Sequence, residues 1–144
     1  MIILDTNVIS ETIRQQPNPQ VAAWYRSQPI SDLCVTAVTL AELLNGVRRM
    51  SHGRRRTQLA ATIDYALLPL IDRIFAFDNI AAIDYADIRA AREASGRPIG
   101  VQDAMIAAIA RSRGATLATR NIKDFEHTGV TLVNPWENNE SATA

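Results

Sequence analysis

Residues 1–7 read MIILDTN, an apolar run that passes without a spacer into Asp5, Thr6 and Asn7. A short run with no alternation reads as a strand covered on both faces, the type found in parallel sheets. The same grammar recurs at LCVTAV (33–38), RIFAF (73–77), ATLATR (115–120) and VTLVNP (130–135). Helical periodicity fills the intervals. Val8, Ile9 and Ile13 recur at helical spacing until QQPNP (15–19), and NPQVAAWYRSQ (18–28) restarts a helix with Pro19 in its first turn. Thr39 is expected to open a helix through LAELLNGVRRM, and TQLAATIDYALLPL (57–70) reads as a helix broken near Pro69. In IAAIDYADIRAAREASG (80–96), Ile80, Ile83, Ala86, Ile88 and Ala91 stripe one side and Gly96 supplies the stop; VQDAMIAAIARSRG (101–114) repeats the pattern with Ile106, Ala107, Ile109 and Ala110. Strands alternating with helices imply an α/β fold, a three-layer α/β/α domain with a central parallel sheet of four to five strands.

The chain has 144 residues, enough for one domain with a full core, over residues 1–136. Residues 137–144, ENNESATA, form a small polar tail expected to be disordered. Fifteen basic and fifteen acidic residues cancel, so no global field gathers nucleic acid or anionic lipid. The single Cys34 lies in the apolar run DLCVTAV, which excludes a disulfide framework and suits a reducing compartment. No stretch has membrane-spanning length and no basic segment precedes the first apolar run, so the expectation is a cytoplasmic protein with no membrane partner.

In an open parallel sheet, ligands bind beyond the carboxyl ends of the strands. Four acids fall there: Asp5 after the first strand, Glu42 one helical turn beyond the second, Asp103 at the start of its helix, and Asp124 after the strand at 115–120. Each has a structural reading too. Asp5 can cap a helix, Thr39 and Glu42 fit a T-x-x-E capping box, and Asp103 and Asp124 complement helix dipoles. Together they repel, and such convergence persists cheaply only with a cation or with raised pKa values. All-oxygen donors without adjacent Cys or His suit Mg²⁺ or Mn²⁺ rather than zinc. An ion so held lowers the pKa of a bound water and stabilises phosphoryl charge, the requirements of phosphodiester hydrolysis. His52 and His127 have no ligand spacing with one another or with the acids. GRPIG (96–100) lacks the Lys-Ser/Thr end of a phosphate loop. A phosphatase with an Asp nucleophile needs D-x-D, and Asn7 stands at the second Asp. A non-catalytic acidic pocket for a basic peptide is the alternative.

Four stretches in order, ILDTNVISE (3–11), AVTLAELLNGV (37–47), DAMIAAIA (103–110) and LATRNIKDFEHTGVTLVNPW (117–136), resemble the PIN-domain toxins of bacterial toxin-antitoxin modules. LPLIDRIFAFD (68–78) and the closing VNPW are most similar to the FitB-like branch of the VapC group. The resemblance implies a metal-dependent endoribonuclease, a homodimer, and restraint by a small VapB- or FitA-like antitoxin that also brings the pair to operator DNA. It places Asp5, Glu42 and Asp103 as core acids, with Asp5 and Asp103 direct Mg²⁺ ligands. The fourth position falls on Asn121 or, three residues on, on Asp124. Thr6, Asn7 and Thr119 match polar positions that orient carboxylates or water. Arg54, Arg55 and Arg56, in the one dense basic run, and Arg120 beside the site are candidates to hold RNA; the plain alternative for that run is a solvated bend between helices.

Overall fold

The computed structural model describes residues 1–137. Five short strands, β1 (Ile2–Leu4), β2 (Leu33–Thr36), β3 (Ile74–Phe75), β4 (Thr116–Ala118) and β5 (Thr131–Val133), form one parallel sheet in the order β3-β2-β1-β4-β5. Helices α1 (Thr6–Thr12), α2 (Pro19–Ser27), α3 (Ala37–Arg48), α4 (Arg54–Leu67), α5 (Asn79–Ala94), α6 (Val101–Ser112) and α7 (Ile122–Phe125) connect them. The expected α/β/α arrangement is what the chain adopts. Glu137 is an exposed bend residue, and the remainder of the expected disordered tail, 138–144, lies outside the described residues.

Alternation along the strands distributes the core to both faces. Ile3, Cys34 and Leu117 join one apolar cluster with Ile88, Ile106 and Ile109 of α5 and α6. Leu4, Leu33, Val35 and Ala118 join a second with Leu43, Val47, Ile63 and Leu67 of α3 and α4. Every side chain of the central strands is therefore used, which is why MIIL shows no alternation. Each fully buried leucine or isoleucine adds about 1.5–3 kcal/mol relative to exposure. Helix α6 is buried nearly all round, Ala104 and residues 106–110 included, and packs along α5.

Two local expectations change. Helix α3 begins at Ala37, not at Thr39: the Thr36 hydroxyl caps it by accepting from the Thr39 N–H at 3.1 Å. The T-x-x-E capping box is thus not formed around Thr39, and Glu42 does not serve as its partner. On α5 the buried stripe is Ala81, Ile88 and Arg92, with Tyr85 half-buried between them; Ile80 and Ile83 are 57% and 65% exposed. A stripe rotated in this way buries an arginine stem, which apolar periodicity does not anticipate. Gly96 (φ 74°) and Gly114 (φ 62°) follow α5 and α6 in the left-handed region, as helix-ending glycines do. Among the described residues no helix is long and apolar enough to cross a membrane.

Candidate active site

The strand order places the topological switch at β1, whose neighbours β2 and β4 lead away in opposite directions. Asp5 stands at the carboxyl end of β1 and is 6% exposed. Its Oδ1 caps α1 by accepting from the Thr6 N–H at 2.8 Å, and its Oδ2 accepts from the Thr119 hydroxyl, just past β4, at 2.7 Å. Asp5 is therefore a helix cap whose second oxygen is held from across the sheet. Thr119 is itself fully buried, and its oxygen accepts from the Asn121 N–H at 3.1 Å and from Asn7 Nδ2 at 3.5 Å. Asn7 Oδ1 in turn accepts from the Arg120 N–H at 3.4 Å. Thr6 and Thr119 thus bond Asp5 directly, and Asn7 reaches it through Thr119.

Glu42 projects from the second turn of α3, freed from capping by Thr36. The Thr6 hydroxyl donates to the Thr39 hydroxyl at 3.0 Å, tying α1 to α3 beneath it. Asp103 lies in the first turn of α6, whose Gly100 cap has no side chain to offer, so the acid complements the dipole. Asp5, Glu42, Asp103, Thr6, Asn7 and Asn121 line one cleft of about 490 Å³ at the carboxyl edge of the sheet. Asp124, in the short helix α7, does not line it and faces a neighbouring cavity with Arg120, Asn121 and Lys123. Its charge is nonetheless felt at both Asp5 and Asp103.

Burial is the first cause of an upward shift at three of these carboxyls. Asp5 is raised by desolvation and by Asp124, against the two hydrogen bonds it accepts. Glu42 is raised by burial, Asp5 and Asp103, with the Thr6 hydroxyl acting in the opposite sense. Asp103 is raised by burial, Asp5 and Asp124, and Arg92 opposes this. The acids therefore disfavour one another's charge. Among the described residues no three acidic, histidine or cysteine side chains are drawn together as a closed metal cage. The donor chemistry still fits a hard divalent cation, because Asp5, Glu42 and Asp103 offer oxygen donors whose charged forms are disfavoured by burial and by one another.

Residues absent from the sequence reading complete the site. Glu11, buried and on the same cleft, accepts from Arg14 at 3.0 Å and from the Asn18 N–H at 3.0 Å, which hold its carboxyl below the usual range. Asn7 and Glu11 share one face of α1 and Arg14 follows just past its end, a spacing legible in ILDTNVISETIR. Arg92, 5% exposed, donates through Nη1 to the carbonyls of Asp124 and Glu126, both at 2.9 Å, and through Nε to that of Arg97 at 2.6 Å. It fastens the α7 turn to α5. The Arg120 guanidinium lies over the Trp136 ring at 5.3 Å rather than reaching into the cleft. Arg54 and Arg55 are exposed at the start of α4, and Arg56 is half-buried beside His52.

Residues 2–130 match the family model described as PIN domain. The VapC ribonuclease Y4jK of Sinorhizobium fredii is 43% identical over 95% of this chain and 99% of its own, and Toxin FitB of Neisseria gonorrhoeae is 41% identical over 94% and 99%. The structure of FitAB bound to the IR36 DNA fragment superposes with a TM-score of 0.90 at 39% identity, covering 96% of this chain and 97% of that one. The chain belongs to the PIN-domain family, within the group that contains the VapC ribonucleases and Toxin FitB.

Proposed function

We propose that the protein is the toxin of a toxin-antitoxin module, a cytoplasmic endoribonuclease that hydrolyses RNA phosphodiester bonds with Mg²⁺, or Mn²⁺ in its place. The observation that carries this reading is the cleft in which Asp5, Glu42 and Asp103, from three distant parts of the chain, disfavour one another's charge. Asp5 and Asp103 would hold the ion, Glu42 would complete the set, and Asp124 would contribute from its edge. When bound, the metal activates a water and stabilises charge on phosphate.

The chain's own residues then have separable roles. Thr119 and the Thr6 N–H fix both oxygens of Asp5, so its orientation does not depend on the ligand. Asn7 and Asn121 offer amide groups to the water or the scissile phosphate. Glu42, whose charged form is disfavoured by burial and by Asp5 and Asp103, lines the cleft where it can accept a proton from the attacking water. Asp124 is the fourth acid, and Asn121, which does line the cleft, acts as a polar support.

Partners follow from the relatives. A VapB- or FitA-like antitoxin covers the site, and operator DNA is reached through that antitoxin. A second copy of the chain is supported by the exposed apolar residues Ile80 and Ile83 on α5 and Val101 on α6, which are costly on an isolated surface. Arg54, Arg55, Arg56 and Arg120 contribute positive field around the acids. Expression in bacteria tests the reading. Wild type should arrest growth, co-expressed antitoxin should relieve the arrest, and well-folded Asp5→Asn should be harmless; a toxic Asp5→Asn protein overturns it.

A further inference from the structure

Arg48, Arg49, Arg54, Arg55 and Arg56 fall within nine residues across the bend that joins α3 to α4. Among the described residues, no ion pair joins any of them to a carboxylate. Three of them occupy the first turn of α4, which has no acid there and no side-chain cap at Gly53. Cations crowded at the positive end of a helix repel both the dipole and one another. An external polyanion relieves that cost.

The bend is also concave. A pocket of about 450 Å³ opens between α3 and α4, with Arg48, His52 and Arg56 at its polar side, Val47 and Ile63 at its apolar side, and Asp64 as its one acid. Arg56 Nη1 lies 2.9 Å from His52 Nδ1, so the two side chains are held as a unit. The pocket does not stand apart from the cleft. Val47 and Ile63 also line a groove that runs back to Thr6 and Glu42, and those two residues line the acid cleft itself. Arg48 lies six positions after Glu42, about 9 Å of advance along α3.

We propose that the α3–α4 pocket is a phosphodiester-binding subsite for the RNA strand cut in the acid cleft. The inference rests on the nuclease reading given above. Arg48 and Arg56 present guanidinium forks that match phosphate geometry. Arg54 and Arg55 do not line the pocket; with Arg49 they extend the field beyond it, as a strand carrying several phosphates requires. A strand anchored here lays a nearby phosphate over carboxylates that would otherwise repel it. An acidic peptide would offer carboxylates to the same guanidinium groups, but its few charges match one pocket and leave the remaining arginines unanswered.

The test is binding of a 2′-O-methyl single-stranded RNA in EDTA, so that affinity is read without cleavage. Wild type, Arg48→Ala, Arg56→Ala, the double variant and the exposed single-charge control Arg26→Ala are compared by anisotropy across a salt series, with melting temperatures confirming folded protein. The double variant should bind several-fold more weakly, and its slope of log K against log salt should be flatter by about 0.7 for each phosphate that the two arginines neutralise in the wild type. Arg26→Ala should match wild type. Equal affinity and slope for wild type and the double variant overturn the proposal. So does a double variant that loses affinity for a polyglutamate peptide while keeping that for RNA. Should wild type bind RNA with the predicted arginine dependence yet cut no RNA with Mg²⁺ or Mn²⁺, the nuclease reading fails and the phosphate subsite stands.

Discussion

The Thr119 hydroxyl donates a 2.7 Å hydrogen bond to Oδ2 of Asp5, joining residues 114 apart in sequence across the switch between β1 and β4. This bond, with the Thr6 N–H on the other oxygen, orients a carboxylate whose charged form burial disfavours.

Thr119→Val keeps the shape and removes the donor. A buried hydrogen bond to a charged group contributes about 1.5–3 kcal/mol, so chemical denaturation near pH 8 should show a loss of that size. Cleavage should fall further than stability alone explains, since Asp5 loses its orientation.

Charge relief at Asp103 should be visible in the metal-free protein. The carboxyls of Asp5, Glu42 and Asp103 are raised in the folded state, so the folded chain binds more protons than the unfolded one above the ordinary carboxylate pKa of about 4. Their contribution to stability is fully present below that pKa and is lost as pH rises through the folded values. Asp103→Asn removes one of the three. In EDTA near neutral pH it should melt above wild type, and the gap should close on acidification. Added Mg²⁺ should stabilise wild type and leave the variant nearly unchanged.

Arg92→Met should cost about 3 kcal/mol or more in urea unfolding, because the carbonyls of Arg97, Asp124 and Glu126 lose a shared donor inside the fold. Arg92→Lys keeps the charge but not the fork, so it should recover part of the stability and less of the Mn²⁺ affinity measured by calorimetry.

Ile83→Lys places a charge on an exposed face and should leave the melting temperature of the monomer unchanged. On the proposed pairing of two copies through α5, sedimentation should show a dimer for wild type and a shift toward monomer for the variant at equal concentration. An unaltered dimer would remove α5 from the interface.

Much of the fold is legible in the chain because strand burial on both faces leaves a distinct mark. MIIL, LCVTAV and ATLATR announce the parallel sheet, and the sheet determines which ends to inspect, bringing Asp5, Glu42 and Asp103 to one cleft. Asp124 is harder to place, because a four-residue helix turns it aside in a way no periodicity reports. Thr39 reads as a cap since T-x-x-E fits the motif; Thr36, three residues earlier and still reading as strand, takes that role. Arg92 is invisible because its partners are main-chain carbonyls, which leave no pattern in side-chain identity. Arg120 stacks on Trp136, a pairing made across the fold that spacing alone does not reveal.

Metal-dependent phosphodiester hydrolysis in the acid cleft is tested most sharply by cleavage of a structured RNA. Purified protein is titrated with Mg²⁺ or Mn²⁺, with Asp103→Asn alongside. No cleavage is expected in EDTA, cleavage that saturates with either ion is expected from wild type, and none is expected at any concentration from the folded variant. Equal cleavage by Asp103→Asn, or wild-type protein that binds a basic peptide without metal and cuts no RNA, would contradict it.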